Sequence, residues 1–130
     1  MFQNIDEVKP RILIVDDEPQ IGEFLGEFLI EKGYEVFYAE SGEEALRFVK
    51  RVRPHMTLLD VRMSGMGGIE ALRQMKELDP KIGVIMVTAL HEEEIGREAL
   101  KLGAVDFITK PIDFDYLETS IMYKLSAMIE

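Results

Sequence analysis

Three aspartates and one lysine, each placed straight after an apolar run, are the residues of this chain best suited to chemistry. Ile12-Leu13-Ile14-Val15 leads into Asp16-Asp17, Met56-Thr57-Leu58-Leu59 into Asp60, and Phe107-Ile108-Thr109 into Lys110-Pro111. A further run ends at Val87 and meets Thr88-Ala89. Three carboxylates brought together are not stable alone. At roughly 5 Å and an effective dielectric of about 20, each pair costs about 3 kcal/mol. A single lysine relieves part of this, so the cluster must take up protons or a cation. Oxygen-only donors suit a hard ion, and few carboxylates with room for water suit Mg²⁺ better than Ca²⁺. An Asp beside Mg²⁺ and a Lys is a nucleophile fitted to a phosphoryl group, whose charge the metal and ammonium neutralise.

The elements that must position these residues are legible from periodicity. Five runs rich in apolar and β-branched residues read as strands: Arg11–Val15, Glu35–Ala39, Met56–Leu59, Ile82–Val87 and Val105–Ile108. Most are continuously apolar, the mark of strands covered on both faces, as in a parallel sheet. Helical spacing fills the gaps, first in Ile21, Phe24, Leu25, Phe28 and Leu29, last in Phe114, Leu117, Ile121, Leu125 and Met128. Gly33 and Gly103 stand where the first and fourth helices should stop. Ser41 and Glu44 have capping-box spacing, Asp79-Pro80 ends the third helix, and Asp113 is placed to cap the fifth. The alternation predicts an α/β domain with helices on both faces of a parallel sheet. Ligands of such sheets bind outside the carboxyl ends of the strands, where strand order reverses. In the order 2-1-3-4-5 that point lies between the first and third strands, where Asp16, Asp17 and Asp60 meet.

Composition narrows the function classes. The 130 residues suit one domain, and they include no cysteine, which excludes disulfides, a thiol nucleophile and thiolate metal sites. This fits the reducing cytoplasm, the expected location. A net charge of −10 argues against direct binding to nucleic acid. No apolar run is long enough to cross a bilayer, and Met1 to Pro10 lacks the apolar centre of a signal peptide.

Asp16-Asp17, Asp60, Thr88-Ala89 and Lys110-Pro111, in this order and each at its strand end, resemble the signature of response-regulator receiver domains of bacterial two-component systems, of the chemotaxis-regulator kind. The resemblance spans the chain from about Arg11 to the last helix. It implies a flavodoxin-like fold: a doubly wound five-stranded parallel sheet of order 2-1-3-4-5 with five helices. Residues 1–10 would be an N-terminal extension and 11–130 the receiver. Asp60 would accept a phosphoryl group from a sensor histidine kinase or phosphotransfer protein. Asp16, Asp17, Asp60 and the backbone carbonyl of Arg62 would hold Mg²⁺. Thr88, Ala89 and Lys110 would contact the phosphoryl group, Phe107 would be the switch aromatic, and the Lys110–Pro111 bond would be cis. Such a domain is a signalling switch rather than an enzyme. It acts on an output domain or downstream protein, or through a phosphorylation-linked homodimer, by rearranging a surface near Leu90, Phe107 and Tyr116. The kinase would dock on the first helix and the Pro111-Ile112 loop. The chain reads equally as a stand-alone regulator or as the receiver of a longer protein.

Two positions depart from the family pattern. Ser64 stands where a proline is usual, which predicts a looser loop after the third strand, and Phe107 stands where tyrosine is common. A bond from Thr88 to a charged phosphoryl group is worth about 1.5–3 kcal/mol, whereas a full two-state switch needs about 5.5 kcal/mol. Lys110, backbone amides and burial of Phe107 must supply the rest. Plainer readings stand beside these. Asp17 is also a fitting N-cap for the first helix, Asp60 a turn residue, Thr88 a strand residue, Lys110 a surface lysine and Phe107 a core residue. Gly65, Gly67 and Gly68 lack the Gly-Lys-Ser/Thr ending of a phosphate loop. His91-Glu92-Glu93-Glu94 lacks a second zinc histidine and reads as acids favouring a helix N-terminus. His55 is isolated, and the eight methionines are scattered through core-like positions. A receiver fold without phosphotransfer is the nearest rival. A haloacid-dehalogenase-like phosphatase is the next, though its Asp-x-Asp is replaced here by Asp60-Val61-Arg62.

Overall fold

The computed structural model describes residues 9–89 and 91–129. Leu90 and all of the N-terminal extension before Lys9 lie outside the described residues. Strands and helices alternate: β1 (Arg11–Val15), α1 (Pro19–Glu31), β2 (Glu35–Ala39), α2 (Gly42–Val52), β3 (Met56–Asp60), α3 (Gly68–Leu78), β4 (Gly83–Thr88), α4 (Glu93–Lys101), β5 (Asp106–Thr109) and α5 (Phe114–Ile129). The five strands form one parallel sheet in the order β2-β1-β3-β4-β5. This is the flavodoxin-like architecture that the family resemblance implies. Among the described residues, no helix is long and apolar enough to cross a membrane.

Alternation of side chains along each strand builds two cores. Ile12, Ile14, Met56, Leu58, Ile85 and Ile108 face α1 and α5, meeting Leu25, Leu29, Leu117 and Ile121. Leu13, Val15, Leu59, Val84 and Met86 face the other way, toward Val49, Leu72, Met75 and Ala99 of α2, α3 and α4. Every residue of β3 and β4 is buried, which is why these stretches read as unbroken apolar runs. Edge strand β2 is only partly covered.

The helix ends follow their local chemistry. Gly33 and Gly103 adopt φ of +101° and +109°, the left-handed conformation that stops α1 and α4. Ser41 Oγ accepts from Glu44 N–H at 3.1 Å, while the Glu44 carboxylate reaches back one residue further than a capping box requires, to Glu40 N–H at 2.8 Å. Asp113 Oδ1 accepts from Tyr116 N–H at 3.1 Å at the start of α5. His55 is structural: its Nδ1 accepts from Arg11 N–H at 2.9 Å.

Three strand ends lie one residue later than the apolar pattern alone predicts: β3 at Asp60, β4 at Thr88 and β5 at Thr109. The Thr88 carbonyl accepts from Lys110 N–H at 2.8 Å, so the β4–β5 ladder runs on through the threonines. Ile82 is excluded from β4 because its N–H turns back to the Asp79 carbonyl at 3.1 Å.

Thr57 is an internal flaw. It is fully buried in β3 between Leu13 and Val84, and its hydroxyl has no hydrogen-bond partner among the described residues. Leaving such a hydroxyl unpaired costs about 1–3 kcal/mol. Thr57→Val is therefore expected to raise stability by about 1 kcal/mol, read as a higher urea midpoint at unchanged slope. A lower midpoint would show that the hydroxyl is paired in solution.

Candidate functional site

The reversal of strand order sets the carboxyl ends of β1 and β3 side by side, and the acids follow from there. Asp16 continues from β1, its N–H donating to the Ala39 carbonyl at 3.1 Å. Its Oδ1 accepts from Glu18 N–H at 2.8 Å, so it is Asp16 that closes the turn into α1. Asp17 does not cap that helix; its Oδ2 accepts from Ser64 N–H at 3.3 Å, across the crevice. A proline at position 64 has no N–H to make that bond, so the loop after β3 is tied down at the residue where it was expected to be looser. Asp60 is the last residue of β3. Its Oδ1 accepts from Arg62 N–H at 3.2 Å and its Oδ2 from Lys110 Nζ at 3.4 Å. One oxygen each from Asp16, Asp17 and Asp60 can be found within 4.8 Å of the others.

Burial makes this cluster electrostatically uncomfortable. It pushes the Asp16 carboxyl up to about 6, with the neighbouring Asp60 charge adding to the rise and the Glu18 N–H opposing it. Burial likewise raises Asp60, against the lowering pull of Lys110. Three carboxylates thus face one close ammonium, because the guanidinium of nearby Arg62 is turned away to Glu92. An oxygen-only donor set, two of its carboxyls buried and short of countercharge, fits a hard divalent cation.

Around the acids stand the other predicted residues. Thr88 is fully buried, and its hydroxyl donates to the Ile108 carbonyl at 3.4 Å rather than to Asp60. Ala89 N–H donates to Glu92 Oε1 at 3.0 Å. Lys110 follows β5, and its bond to Pro111 is cis. Phe107 is half-buried against α4, where a Cβ added at Gly96 would come within 2.5 Å of its ring. Beside it Asp106 Oδ2 accepts from Tyr116 Oη at 2.9 Å and from Ser120 Oγ at 2.7 Å, tying β5 to α5.

Sequence reasoning missed the Glu92 carboxylate and the Arg62 guanidinium, which form a hydrogen-bonded ion pair from one loop to the next. Glu92 was read with Glu93 and Glu94 as a run favouring a helix N-terminus. Only Glu93 and Glu94 lie in the first turn of α4. Glu92 precedes it, is buried, and has its carboxyl lowered chiefly by the Ala89 N–H. A run of three identical residues gives no sign of which one faces inward.

The raised carboxyl of Asp16 sets the sign of a pH effect. Its ordinary value is 3.8, so between there and about 6 the folded chain binds a proton that the unfolded chain has lost. Without divalent cation, stability should fall by about 3 kcal/mol as pH rises through that window. Asp16→Asn should flatten the urea midpoint between about pH 4 and pH 6.5, and Mg²⁺ should restore the parent at pH 7. An unchanged slope in Asp16→Asn would assign the effect to other groups.

Comparison with known proteins agrees with this geometry. The sequence profile described as response regulator receiver domain matches residues 12–122. Sporulation initiation phosphotransferase F of Bacillus subtilis (strain 168) is 40% identical over 111 residues, covering 85% of this chain and 90% of that protein. Transcriptional regulatory protein ZraR of Escherichia coli (strain K12) is 42% identical over 110 residues, which cover 85% of this chain but 25% of that regulator. This chain thus spans about a quarter of ZraR's length. Among solved structures, the CheY-like receiver domain protein of Methanospirillum hungatei JF-1 superposes with a TM-score of 0.88 at 32% identity, over 93% of this chain and 97% of that one. A profile match over most of the chain, with relatives of this identity, makes it a member of the response regulator receiver domain family of two-component systems.

Proposed function

We propose that this chain is a cytoplasmic phosphorylation switch whose phosphoryl group is carried on Asp60. The observation behind this reading is the placing of the buried Asp60 carboxylate, 3.4 Å from Lys110 Nζ and clustered with Asp16 and Asp17. An Asp60 carboxylate oxygen bonds to phosphorus as the bond from phosphorus to the donor's imidazole nitrogen breaks. The electron pair stays on that nitrogen, and ionised Asp60 has no proton to lose. Lys110 favours the ionised form of Asp60 beforehand, then pairs with a phosphoryl oxygen. The Thr88 hydroxyl and Ala89 N–H, at the end of the adjacent strand, are the remaining donors. Asp16, Asp17, Asp60 and the Arg62 backbone carbonyl would hold Mg²⁺, which supplies countercharge for the transferring oxygens.

Signal output follows from what Thr88 and Phe107 touch. Thr88 turning from the Ile108 carbonyl to the phosphoryl group loosens its link to β5, while the Phe107 ring seats α4. The α4–β5–α5 face, with Tyr116 at its edge, is where an output domain, a downstream protein or a second copy of the chain engages. Part of a transcriptional regulator is 42% identical to this chain, which supports an output partner. The net charge of −10 speaks against DNA contact by this domain itself.

The donor's docking site is read from an apolar groove beside Lys110, lined by Ile21, Phe24, Pro111, Ile112 and Phe114. Phe24 is 64% exposed there, its ring 5.5 Å from that of Phe114. A phosphohistidine domain resting on this groove would bring its imidazole to Asp60.

Incubation with acetyl phosphate and Mg²⁺ should add one phosphoryl group by intact mass. Asp60→Asn, or removal of Mg²⁺, should abolish the gain; labelling that survives in Asp60→Asn would place the phosphate elsewhere. Phe24→Ala should slow transfer from a phosphohistidine donor about tenfold, as loss of an aromatic anchor does, and leave acetyl phosphate labelling unchanged. Equal slowing with both donors would remove the groove from docking.

A further inference from the structure

All three donors assigned above to the phosphoryl group are engaged within the protein, and one of them, the Ala89 amide, is held by an anion other than the phosphoacceptor. Ala89 N–H donates to Glu92 Oε1 at 3.0 Å, and the other oxygen of that carboxylate, Oε2, takes Arg62 Nε. The Glu92 side chain is buried, while that of Arg62 is 77% exposed, so the pair runs from the edge of the site to the surface. Arg62 belongs to the loop after Asp60; Ala89 and Glu92 belong to the loop after Thr88. The Glu92 carboxylate therefore links both loops that flank Asp60.

An anionic oxygen accepting from a backbone amide is the same bond that a phosphoryl oxygen would make there. A single N–H serves one such acceptor at full strength. We propose that Glu92, steadied by Arg62, is an internal competitor for the Ala89 amide, a positioning residue that phosphorylation of Asp60 must displace. This rests on the phosphoacceptor reading and adds a term to it: the free energy of the phosphorylated state depends on how firmly Glu92 holds Ala89.

The linkage has a direction. The Glu92 carbonyl accepts from Ile95 N–H at 3.1 Å and Gly96 N–H at 3.2 Å, so its backbone caps the first turn of α4. Gly96 in turn lies against the Phe107 ring. Displacing the Glu92 carboxylate thus acts on the helix that seats the switch aromatic. A dianionic group on Asp60 both takes the amide and repels the carboxylate, so both effects push the same way.

The test uses beryllofluoride with Mg²⁺ as a phosphoryl mimic, titrated into the parent, Glu92→Gln and Arg62→Gln. Glu92→Gln keeps the shape but weakens the bond to Ala89 and releases Arg62, so beryllofluoride should bind about tenfold tighter. Arg62→Gln removes only the support, and about threefold is expected. In the parent, the Ala89 amide resonance should move on binding, a change that a merely structural Glu92 does not require. Arg62 is exposed, so its variant decides the matter alone should Glu92→Gln fail to fold. Equal or weaker binding in the folded variants, or an unmoved Ala89 amide, overturns the competitor. Absence of beryllofluoride binding to the parent overturns the phosphoacceptor reading and this inference with it.

Discussion

Asp16, Asp17 and Asp60 are held in one crevice by the strand order itself, and the rest of the site is a response to that crowding. Adjacent parallel strands lie about 5 Å apart, so residues leaving the same ends of β1 and β3 have little freedom to separate. At an effective dielectric near 20 each ionised pair is unfavourable by about 3 kcal/mol. The burial of β3 and β4 on both faces holds the arrangement against this repulsion. Lys110 offsets one charge and no more. What remains is a local excess of negative charge, a site suited to a divalent cation and then to a group that brings its own anionic oxygens.

Each donor near Asp60 has an internal partner in this state. Lys110 is on Asp60, Thr88 on Ile108 and Ala89 on Glu92. Phosphorylation would therefore exchange bonds rather than simply add them, and each exchange yields less than the bond itself. A switch from mostly off to mostly on needs about 5.5 kcal/mol of difference. No one exchange of a 1.5–3 kcal/mol bond supplies it. The exchanges must be counted together, and they are mechanically joined because Ala89, Glu92, Gly96 and Phe107 form a continuous path of contacts from the site to α4.

The fold was legible because parallel strands buried on both faces leave unbroken apolar runs, and because Gly33, Ser41, Asp79, Gly103 and Asp113 mark helix ends by chemistry that acts within a few residues. The acidic trio was legible for a topological reason: once β1 and β3 are neighbours, their following residues must meet. Contacts between loops were not legible. Whether Asp17 caps α1 or reaches Ser64 depends on where a loop 47 residues later comes to rest. Which of Glu92, Glu93 and Glu94 turns inward depends on the residue at which α4 begins. The one-residue errors at the ends of β3, β4 and β5 arose because Asp60, Thr88 and Thr109 look polar in sequence yet continue the ladder.

The two loops flanking Asp60 are secured by different kinds of bond, and this decides which of them is built to move. After β3, Gly68 N–H donates to the Val61 carbonyl at 3.0 Å, and a Cβ at Gly68 would lie 2.4 Å from the Asp60 carbonyl oxygen. The start of α3 is thus pressed onto the backbone of Asp60 itself, and Ser64 N–H is fixed on Asp17. None of these contacts uses a donor that a phosphoryl group on Asp60 would claim. After β4, the loop is held through Glu92 on Ala89 N–H and on Arg62, and the first of these is a donor the phosphoryl group would take. A phosphoryl group on Asp60 would therefore meet a side toward α3 held mainly by bonds it does not claim, and an exchangeable one toward α4. On the proposed reading, that asymmetry would direct the response into α4 and the Phe107 ring beneath it, before any partner is present to select it.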